Sequence, residues 1–300
     1  MLRGKSLAVV SLLTLAASVA SAQIVEVVPL AQAENQVFTP SGRHFASGGE
    51  GVVEVVASGG GFDAVQVGLD GCGSNGLAVL NDWLIAACNP GQDNQIYAGK
   101  LVEGELPVLE LLFDLPNFFL ANGVAISPAG AILVADFPFF GQGEVARIEV
   151  EDTGDDLVVV GYDPEFLGAA EGIEAPNGLK LDGQQLFITD NGRVLEVSLG
   201  VDDEYLGTDV FYSKATVFDD LTLLCGGVVV TDFLAGGLIF VRQDGAVFET
   251  PGGLFQVPSS VLFGQPPLYL QRDVLVTELA GGRISKATLP PEALMAFCML

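Results

Sequence analysis

Six polar residues recur at similar intervals along this 300-residue chain, and their types suggest metal chemistry. They are Glu34, Asn75, Asn122, Asn177, Asp219 and Ser259, separated by 41, 47, 55, 42 and 40 residues. Carboxylate and carboxamide oxygens gathered at one opening favour a hard cation such as calcium or magnesium. Without a ligand, the two carboxylates would repel each other and the amides would lack partners. The alternative is that the Asn-Gly and Asp-Asp pairs found here only shape turns.

Each of these marker residues begins a copy of one strand pattern. The copies at Asn75 and Asn177 read NGLAVLNDWLIAAC and NGLKLDGQQLFITD, which are two alternating apolar strands joined by a short turn. A Gly introduces a third strand, and a fourth follows in most copies. This period is typical of a four-stranded propeller blade, whose first strand lines the central axis. Repeat positions should therefore converge as rings around that axis.

The repeat predicts an all-β chain folded as a six-bladed β-propeller of four-stranded blades. The sixth copy has sequence for only three strands, so we expect residues 24–28 to supply its fourth strand and close the ring. A twin β-sandwich is the alternative, since it also needs many short strands. It does not explain six copies with a constant marker position.

The chain divides into three segments. Residues 1–22 have the features of a secretory signal: Arg3 and Lys5 precede a short apolar run, and Ala20-Ser21-Ala22 is a small-residue cleavage site. A retained N-terminal anchor is the alternative. Residues 23–289 form the predicted propeller, and residues 290–300 are a helix-prone tail that we expect to pack as a cap. We therefore expect a secreted or periplasmic protein.

The net charge of the chain limits the classes of molecule that it can bind. The chain has 12 Lys and Arg against 38 Asp and Glu, a formal charge of −26, while half its residues are hydrophobic. Such a chain can bury a large core but lacks the basic patches that bind nucleic acid or an anionic membrane surface. We expect a monomer that acts on a small molecule, with no membrane association once the signal is removed.

Export would permit disulfides among the four cysteines, Cys72, Cys88, Cys225 and Cys298. Cys72 and Cys88 bracket one predicted hairpin, which would bring their backbones to the same rim and allow a bridge. Two buried free thiols are the alternative. Cys225 and Cys298 show no pairing signal.

Two further sets lie near the predicted mouth. Acidic residues end the second strands of four copies: Asp136, Asp190, Asp232 and Glu278. We expect them to accept hydrogen bonds from backbone amides of neighbouring turns, with substrate contact as the alternative. Five phenylalanines fall in loops of the third copy, where they form either an apolar wall or core packing: Phe118, Phe119, Phe137, Phe139 and Phe140.

Short motifs around the markers resemble the SMP-30/gluconolactonase family of six-bladed, calcium-dependent lactonases, including the luciferin-regenerating enzyme-like proteins, and their strictosidine-synthase-like relatives. They include APNGL around Asn177, ANGV around Asn122 and the strand ends VAD and ITD. The resemblance covers nearly all of the mature chain. It implies metal ligation by Glu34, Asn177 and Asp219, with Asn122 nearby. It also implies a divalent cofactor, most simply Ca²⁺, with Mg²⁺, Mn²⁺ or Zn²⁺ as alternatives. We further predict that Asn75, Asn122 and Asp190 contact the substrate.

The chain departs from the family at three points. Glu34 is followed by Asn35 rather than Gly-Pro, Asp219 is followed by Asp220 rather than Gly, and the family's substrate-contacting Arg has no counterpart. These departures bear on the sugar-lactone specificity more than on metal binding.

The histidine count limits the catalytic chemistry. His44 is the one histidine and lies inside a predicted strand, so a Ser-His-Asp triad at the channel is excluded. Hydrolysis would need a metal as electrophile and a carboxylate as base, a role that fits Asp219. The sequence thus predicts a metal-dependent lactone hydrolase. The alternative is a non-catalytic propeller that binds a ligand or a protein at the same mouth.

Overall fold

The computed structural model describes residues 23–91, 93–139 and 141–298. The predicted signal, residues 1–22, and Phe140 lie outside these ranges. The first strand, β1 (Ile24–Pro29), belongs to the last blade. Blade one comprises β2 (Gln36–Phe38), β3 (His44–Gly48), β4 (Gly51–Ser58) and β5 (Gly61–Gly68). Blade two comprises β6 (Gly73–Leu80), β7 (Trp83–Asn89), β8 (Asn94–Lys100) and β9 (Glu110–Leu115).

The remaining blades repeat the same meander. Blade three comprises β10 (Ala121–Ile126), β11 (Ile132–Asp136), β12 (Val145–Asp152) and β13 (Leu157–Leu167), followed by a 3₁₀ turn at Ala169–Glu171. Blade four comprises β14 (Pro176–Asp182), β15 (Gln185–Asp190), β16 (Arg193–Leu199) and β17 (Tyr205–Ser213). Blade five comprises β18 (Phe218–Leu224), β19 (Gly227–Asp232), β20 (Gly237–Val241) and β21 (Val247–Glu249). Blade six comprises β22 (Pro258–Phe263), β23 (Asp273–Glu278), β24 (Arg283–Thr288) and β1.

The N-terminal strand closes the ring. Strand β1 pairs antiparallel with β24, with Ile24 opposite Ala287 and Glu26 opposite Ser285. The propeller, its four-stranded blades and its closure by the N-terminal strand are therefore confirmed. Closure joins the two ends of the chain in one sheet, so that the last blade is completed by the first strand.

The core lies between blades rather than in one central mass. In the described chain, each of the six interfaces between neighbouring blades has its own apolar cluster. Between blades three and four, for example, Leu133 and Val145 pack with Leu179 and Ile188. Because this packing is peripheral, the axis is left to polar side chains.

The C-terminal tail forms a helix, α1 (Pro291–Cys298). Phe297 is 3% exposed and joins the cluster between blades five and six, with its ring centroid 6.0 Å from that of Phe240. The tail is therefore packed against the propeller.

Two disulfides are present. Cys72 is bonded to Cys88, and Cys225, in the turn after β18, is bonded to Cys298 at the end of α1. The second bond encloses the longer loop and would contribute about 4 kcal/mol by loop entropy, against about 3 for the first. No pattern in the sequence predicted the second bond, because its two cysteines are brought together only when α1 packs against the propeller. Both bonds are consistent with a secreted or periplasmic protein.

No helix among the described residues is long and apolar enough to span a membrane.

Candidate functional site

Five of the six marker residues lie within the innermost strands at backbone irregularities, and Glu34 lies just before β2. The pairing of first and second strands shifts between Ala121 and Val124, between Pro176 and Leu179, and between Phe218 and Leu221. Comparable shifts span Asn75 and Ser259. A β-bulge locally bends a strand and redirects its side chains. In this way the innermost strand of a blade can direct a polar side chain toward the axis.

The glycines that follow three of the markers serve close packing around the axis. A Cβ at Gly123 would lie 2.1 Å from the carbonyl oxygen of Asn177, and one at Gly178 would lie 2.5 Å from Oδ1 of Asp220. Neither glycine has a positive φ, so a turn conformation does not explain them. The Asn-Gly pairs therefore let inner strands of adjacent blades approach, and the turn interpretation is wrong for them.

Four predicted residues line one cavity of about 650 Å³ at the axis: Glu34, Asn122, Asn177 and Asp219. Asp219 is 5% exposed, Asn177 4% and Asn122 6%, while Glu34 is partly exposed to the cavity. These four residues form the polar floor. The side chain of Asn75 lies outside the described part of the chain.

Ser259 takes a structural role instead. Its hydroxyl is buried and donates a hydrogen bond of 2.7 Å to the carbonyl oxygen of Ala33. It is not among the residues that line the cavity. The sixth marker thus helps to join blade six to blade one.

The two carboxylates of the polar floor are electrostatically unfavourable as they stand. Burial raises the pKa of Glu34 well above its usual value, and the negative charges of Asp219 and Asp220 raise it further. Burial also raises the pKa of Asp219, with a further contribution from Asp220, while a hydrogen bond from Asn177 opposes the rise. Neither carboxylate makes a salt bridge within the described residues.

Asn177 supplies an independent indication of a ligand. Its amide group hydrogen-bonds to Asp219, yet its Oδ1 is buried without a hydrogen-bond partner. An unpaired buried carbonyl oxygen costs about 1–3 kcal/mol. A hard divalent cation such as calcium or magnesium is a suitable partner for carboxylate and amide oxygens of this kind.

The donor set therefore fits a hard divalent cation. It consists of two carboxylates and two carboxamides, without nitrogen or sulfur ligands that would favour zinc. Among the described residues, no group of three or more His, Cys, Asp or Glu side chains is arranged to hold a metal ion, so the donor set depends on the two carboxamides.

Asp220, directly after Asp219, is bound differently. The Nζ of Lys180 lies 3.2 Å from each of its two oxygens, and Asn35 donates to Oδ2 at 3.2 Å. Asp220 is therefore compensated by residues of blades four and one. This leaves Asp219 as the free carboxylate of the pair.

The acidic residues at the ends of the second strands hold loops, as predicted. Asp136 accepts hydrogen bonds from the backbone N–H groups of Phe119 and Leu120, at 2.8 and 3.0 Å. Asp190 accepts one from Ala175 at 2.6 Å and is also bound by Arg193.

The same arrangement recurs in the next two blades. Asp232 accepts from the N–H group of Ala235 and is bound by Lys214, at 3.0 Å each. Glu278 accepts from the N–H group of Gln256 at 2.6 Å and from Arg283 at 2.8 Å. Asp190 thus belongs to a loop-holding set. Its side chain is completely buried and does not line the cavity, which differs from the substrate contact expected for it.

Three threonines that the sequence analysis missed connect the markers. Thr189, Thr231 and Thr277 each precede a strand-end acid. Each accepts a hydrogen bond from the N–H group after the marker of its own blade and donates to the marker carbonyl of the next blade. Thr277, for example, accepts from Ser260 at 2.7 Å and donates to Glu34 at 2.8 Å. The repeated Thr-Asp and Thr-Glu pairs were the available signal.

The walls of the cavity are largely apolar. Phe137 and Phe139 line it from blade three, Val217, Phe233 and Leu234 from blade five, and Leu279 from blade six. Phe119 packs against Phe139 with ring centroids 5.7 Å apart, whereas Phe118 packs into the cluster between blades two and three. The phenylalanine group is therefore divided between wall and core.

His44 lies away from the cavity. Its ring is fully buried, with Nδ1 3.1 Å from the hydroxyl of Tyr269 and Nε2 3.1 Å from Oε1 of Gln36. Burial lowers its pKa from 6.5 to about 3, so it is neutral in the folded protein. It cannot act as a base at the site.

Fold and site together define a six-bladed propeller with a polar-floored axial cavity. Solved structures with this architecture include a putative gluconolactonase, at 18% identity over 90% of this chain and 93% of that one, with a TM-score of 0.62. A luciferin-regenerating enzyme matches at 12% identity over 89% and 95% of the two chains, with a TM-score of 0.64. A gluconolactonase from Xanthomonas campestris matches at 17% identity over 92% of each chain, with a TM-score of 0.61.

The structural neighbours thus include gluconolactonases, the group that the sequence motifs resemble, and also a PQQ-bound aldose sugar dehydrogenase and a virginiamycin B lyase. No protein-family model and no curated protein matches the sequence. At such low identity the structural likeness establishes the fold, so the activity must be argued from the site.

Proposed function

We propose that this chain is an exported, metal-dependent hydrolase of lactones or related esters. The observation that carries the proposal is the polar floor: two carboxylates without a counter-charge and a buried, unpaired amide oxygen line the same cavity. Groups arranged in this way are costly to fold unless they bind a ligand. The gluconolactonase-like neighbours are consistent with small-molecule hydrolysis.

Glu34, Asn177 and Asp219 would hold the cation, most simply calcium, with Asn122 beside them as a ligand or a substrate contact. The chemistry that a bound cation supplies here is Lewis-acid polarisation of the lactone carbonyl. Asp219 accepts the proton of the attacking water as the water oxygen bonds to the carbonyl carbon. The acyl C–O bond of the ring then breaks, and the ring oxygen leaves as a hydroxyl with the proton returned from Asp219. The product is a hydroxy acid.

The test is hydrolysis of a lactone panel by the mature protein, with a chelator and then with added calcium. We expect chelation to abolish hydrolysis and calcium to restore it. Asp219→Asn should lower kcat by a factor of about 10² to 10⁴, whereas Asp63→Asn, at an exposed position of β5, should not change it.

Two outcomes would contradict the proposal. Hydrolysis that is insensitive to chelation would remove the metal from the reaction. Calcium binding, measured by calorimetry, without hydrolysis of any lactone would favour the non-catalytic, ligand-binding propeller.

Export is proposed on the sequence of residues 1–22 and on the two disulfides. The intact mass of the protein recovered outside the cytoplasm should correspond to a chain that begins after Ala22. A mass that includes residues 1–22 would instead indicate a retained anchor.

A further inference from the structure

The geometry points to a substrate with an apolar body: a lactone with an alkyl or aryl substituent rather than a polyhydroxylated sugar lactone. This inference rests on the proposed function and specifies its substrate class. It follows from the contrast between the polar floor and the residues that stand above it.

One repeat position builds much of the wall. The residue directly after the strand-end acid is Phe137 in blade three, Phe233 in blade five and Leu279 in blade six, and all three line the cavity. Because repeat positions converge around the axis, three of the six blades present a large apolar side chain at the same level. A ligand that reaches the polar floor must pass these side chains.

The aromatic side of the wall is held in place by backbone contacts. Phe137 donates its backbone N–H to Leu120 at 2.9 Å, which ties together the loops before β10 and after β11. Asp136 fixes the first of these loops through the N–H groups of Phe119 and Leu120. Phe139 packs edge-on against Phe137, with centroids 5.5 Å apart. An apolar ligand would therefore meet a preformed surface and order little on binding.

Blade five supplies the second side of the wall. Phe233 donates its backbone N–H to Val217 at 3.0 Å, and Asp232 accepts from Ala235, which fixes the turn that carries Leu234. Leu234 lines the cavity yet is 68% exposed. A large apolar side chain that is both exposed and rigidly placed at a mouth indicates a binding surface.

The polar groups of the wall do not suit a sugar. Beyond the floor, the polar side chains that line the described cavity are Gln32, Asn89 and Asn191. The Nδ2 of Asn89 already donates to the carbonyl oxygen of Ala121 at 3.3 Å, so this residue offers only its unpaired Oδ1, a single acceptor. Several hydroxyls facing Phe137, Phe233 and Leu279 would lose water without gaining partners.

The cavity also disfavours anionic substrates. Its described lining includes Glu34 and Asp219 but no Lys, Arg or His. With the ester group at the proposed cation, a phosphate or carboxylate elsewhere on the substrate would have no cationic side chain to bind. A neutral, amphipathic molecule fits best, with the ester group at the polar floor and the apolar substituent along the wall.

The test compares kcat/KM of the calcium-loaded protein for four δ-lactones: the unsubstituted six-membered ring, the same ring with a propyl chain, the ring with a pentyl chain, and glucono-δ-lactone. Each methylene that becomes buried should raise kcat/KM by up to about fourfold. The sugar lactone should fall below the unsubstituted ring. A sugar lactone that equals or exceeds the pentyl lactone would overturn the inference and leave the proposed hydrolase intact.

A matched pair of variants tests the wall directly. Leu234→Ser removes a leucine that lines the cavity, and Leu206→Ser removes a leucine of similar exposure, 63%, from strand β17. Leu234→Ser should lower kcat/KM for the pentyl lactone by about tenfold and leave the unsubstituted ring nearly unchanged, because only the substituent reaches the wall. Leu206→Ser should change neither value. Equal effects of the two variants on the pentyl lactone would overturn the inference.

Binding separates failure of the inference from failure of the proposed function. If no lactone is hydrolysed, the proposed function fails, and calorimetric titration with the pentyl lactone and with gluconolactone replaces the kinetic comparison. Tighter binding of the pentyl lactone, weakened by Leu234→Ser but not by Leu206→Ser, would support the apolar ligand alone. The absence of such a preference would overturn the inference as well.

Discussion

Two sets of buried carboxylates differ in whether they are partnered. At the strand ends, Asp190, Asp232 and Glu278 each receive a backbone N–H and a cationic side chain. At the polar floor, Glu34 and Asp219 receive no cation from the described chain. Asp219 is buried like the strand-end acids, so burial does not distinguish it from them. The difference lies in whether the protein itself completes the coordination of the oxygens.

Blade three is intermediate between the two sets. Asp136 accepts hydrogen bonds from two backbone N–H groups but has no cationic partner among the described residues. In blades four and six, the residue that pairs with the strand-end acid is Arg193 or Arg283. In blade three the corresponding residue is Glu144, which directly precedes the partner of Ala135. Burial and the charges of Glu165 and Asp136 raise the pKa of Glu144. The blade that carries the aromatic wall thus has an excess of negative charge at its rim.

The largest effect is expected from removing a partnered carboxylate. Asp190→Ala leaves Arg193 without its buried partner and the N–H group of Ala175 unsatisfied. Stability should fall by about 3–5 kcal/mol, measured by urea unfolding. Asp63→Ala, at an exposed position, should stay within about 0.5 kcal/mol of the wild type. A comparable loss of stability in both variants would mean that the hydrogen bond from Ala175 and the salt bridge with Arg193 do not stabilise the fold.

His44 extends the comparison to a buried base whose partners, Gln36 and Tyr269, suit its neutral form. The pKa of Tyr269 is itself raised, by burial and by Asp273. Since the pKa of His44 is lowered from 6.5 to about 3, the unfolded chain binds a proton below pH 6.5 that the folded chain does not. Its contribution to stability should therefore fall by about 1.4 kcal/mol for each pH unit between 6.5 and 3.

His44→Gln should remove that pH dependence. The difference in unfolding free energy between the wild type and the variant should be constant above pH 7 and shrink as the pH falls toward 4.5. Urea unfolding at several pH values measures it. If the plots of unfolding free energy against pH were parallel for the two proteins, His44 would not gain a proton on unfolding.

Removing the charge of a polar-floor carboxylate should raise the stability of the protein, whereas removing Asp190 should lower it. In the presence of chelator, Asp219→Asn should stabilise the protein by about 1–2 kcal/mol, because it removes a buried charge that nothing compensates. Asp232→Asn should destabilise it under the same conditions, since Lys214 loses its negatively charged partner and faces an amide NH₂ group in place of Oδ2. Thermal unfolding with and without calcium measures both. Calcium should raise Tm for Asp232→Asn but not for Asp219→Asn.

The smallest effect is expected at blade three. Glu144→Arg places a cation opposite Asp136, as in blades four and six, and should stabilise the fold by about 0.5 kcal/mol. Glu110→Arg, at an exposed position of β9, changes the net charge by the same amount and serves as the control. If the two variants show the same increase in the free energy of unfolding, the increase comes from the lower net negative charge and not from a local pair with Asp136.

Much of the fold could be predicted because its signals are local. Alternating apolar residues, glycine-containing turns and a period near 45 residues specify blades without knowledge of their neighbours. The markers Glu34, Asn122, Asn177 and Asp219 could be brought to one cavity in advance, because equal repeat positions meet at the axis. The pairing of Cys225 with Cys298 could not, because it depends on where α1 packs.

Sequence by itself determined how many blades there are, how the ring closes and that Glu34, Asn122, Asn177 and Asp219 share one cavity, because these follow from the strand period and the repeat. Only the tertiary structure decided which carboxylates are free to bind. The cations that neutralise Asp190, Asp232 and Glu278 are placed by strand pairing and loops, and Asp220 is neutralised by a lysine from the adjacent blade. Ion pairing depends on distances between atoms that the chain brings together only when it folds.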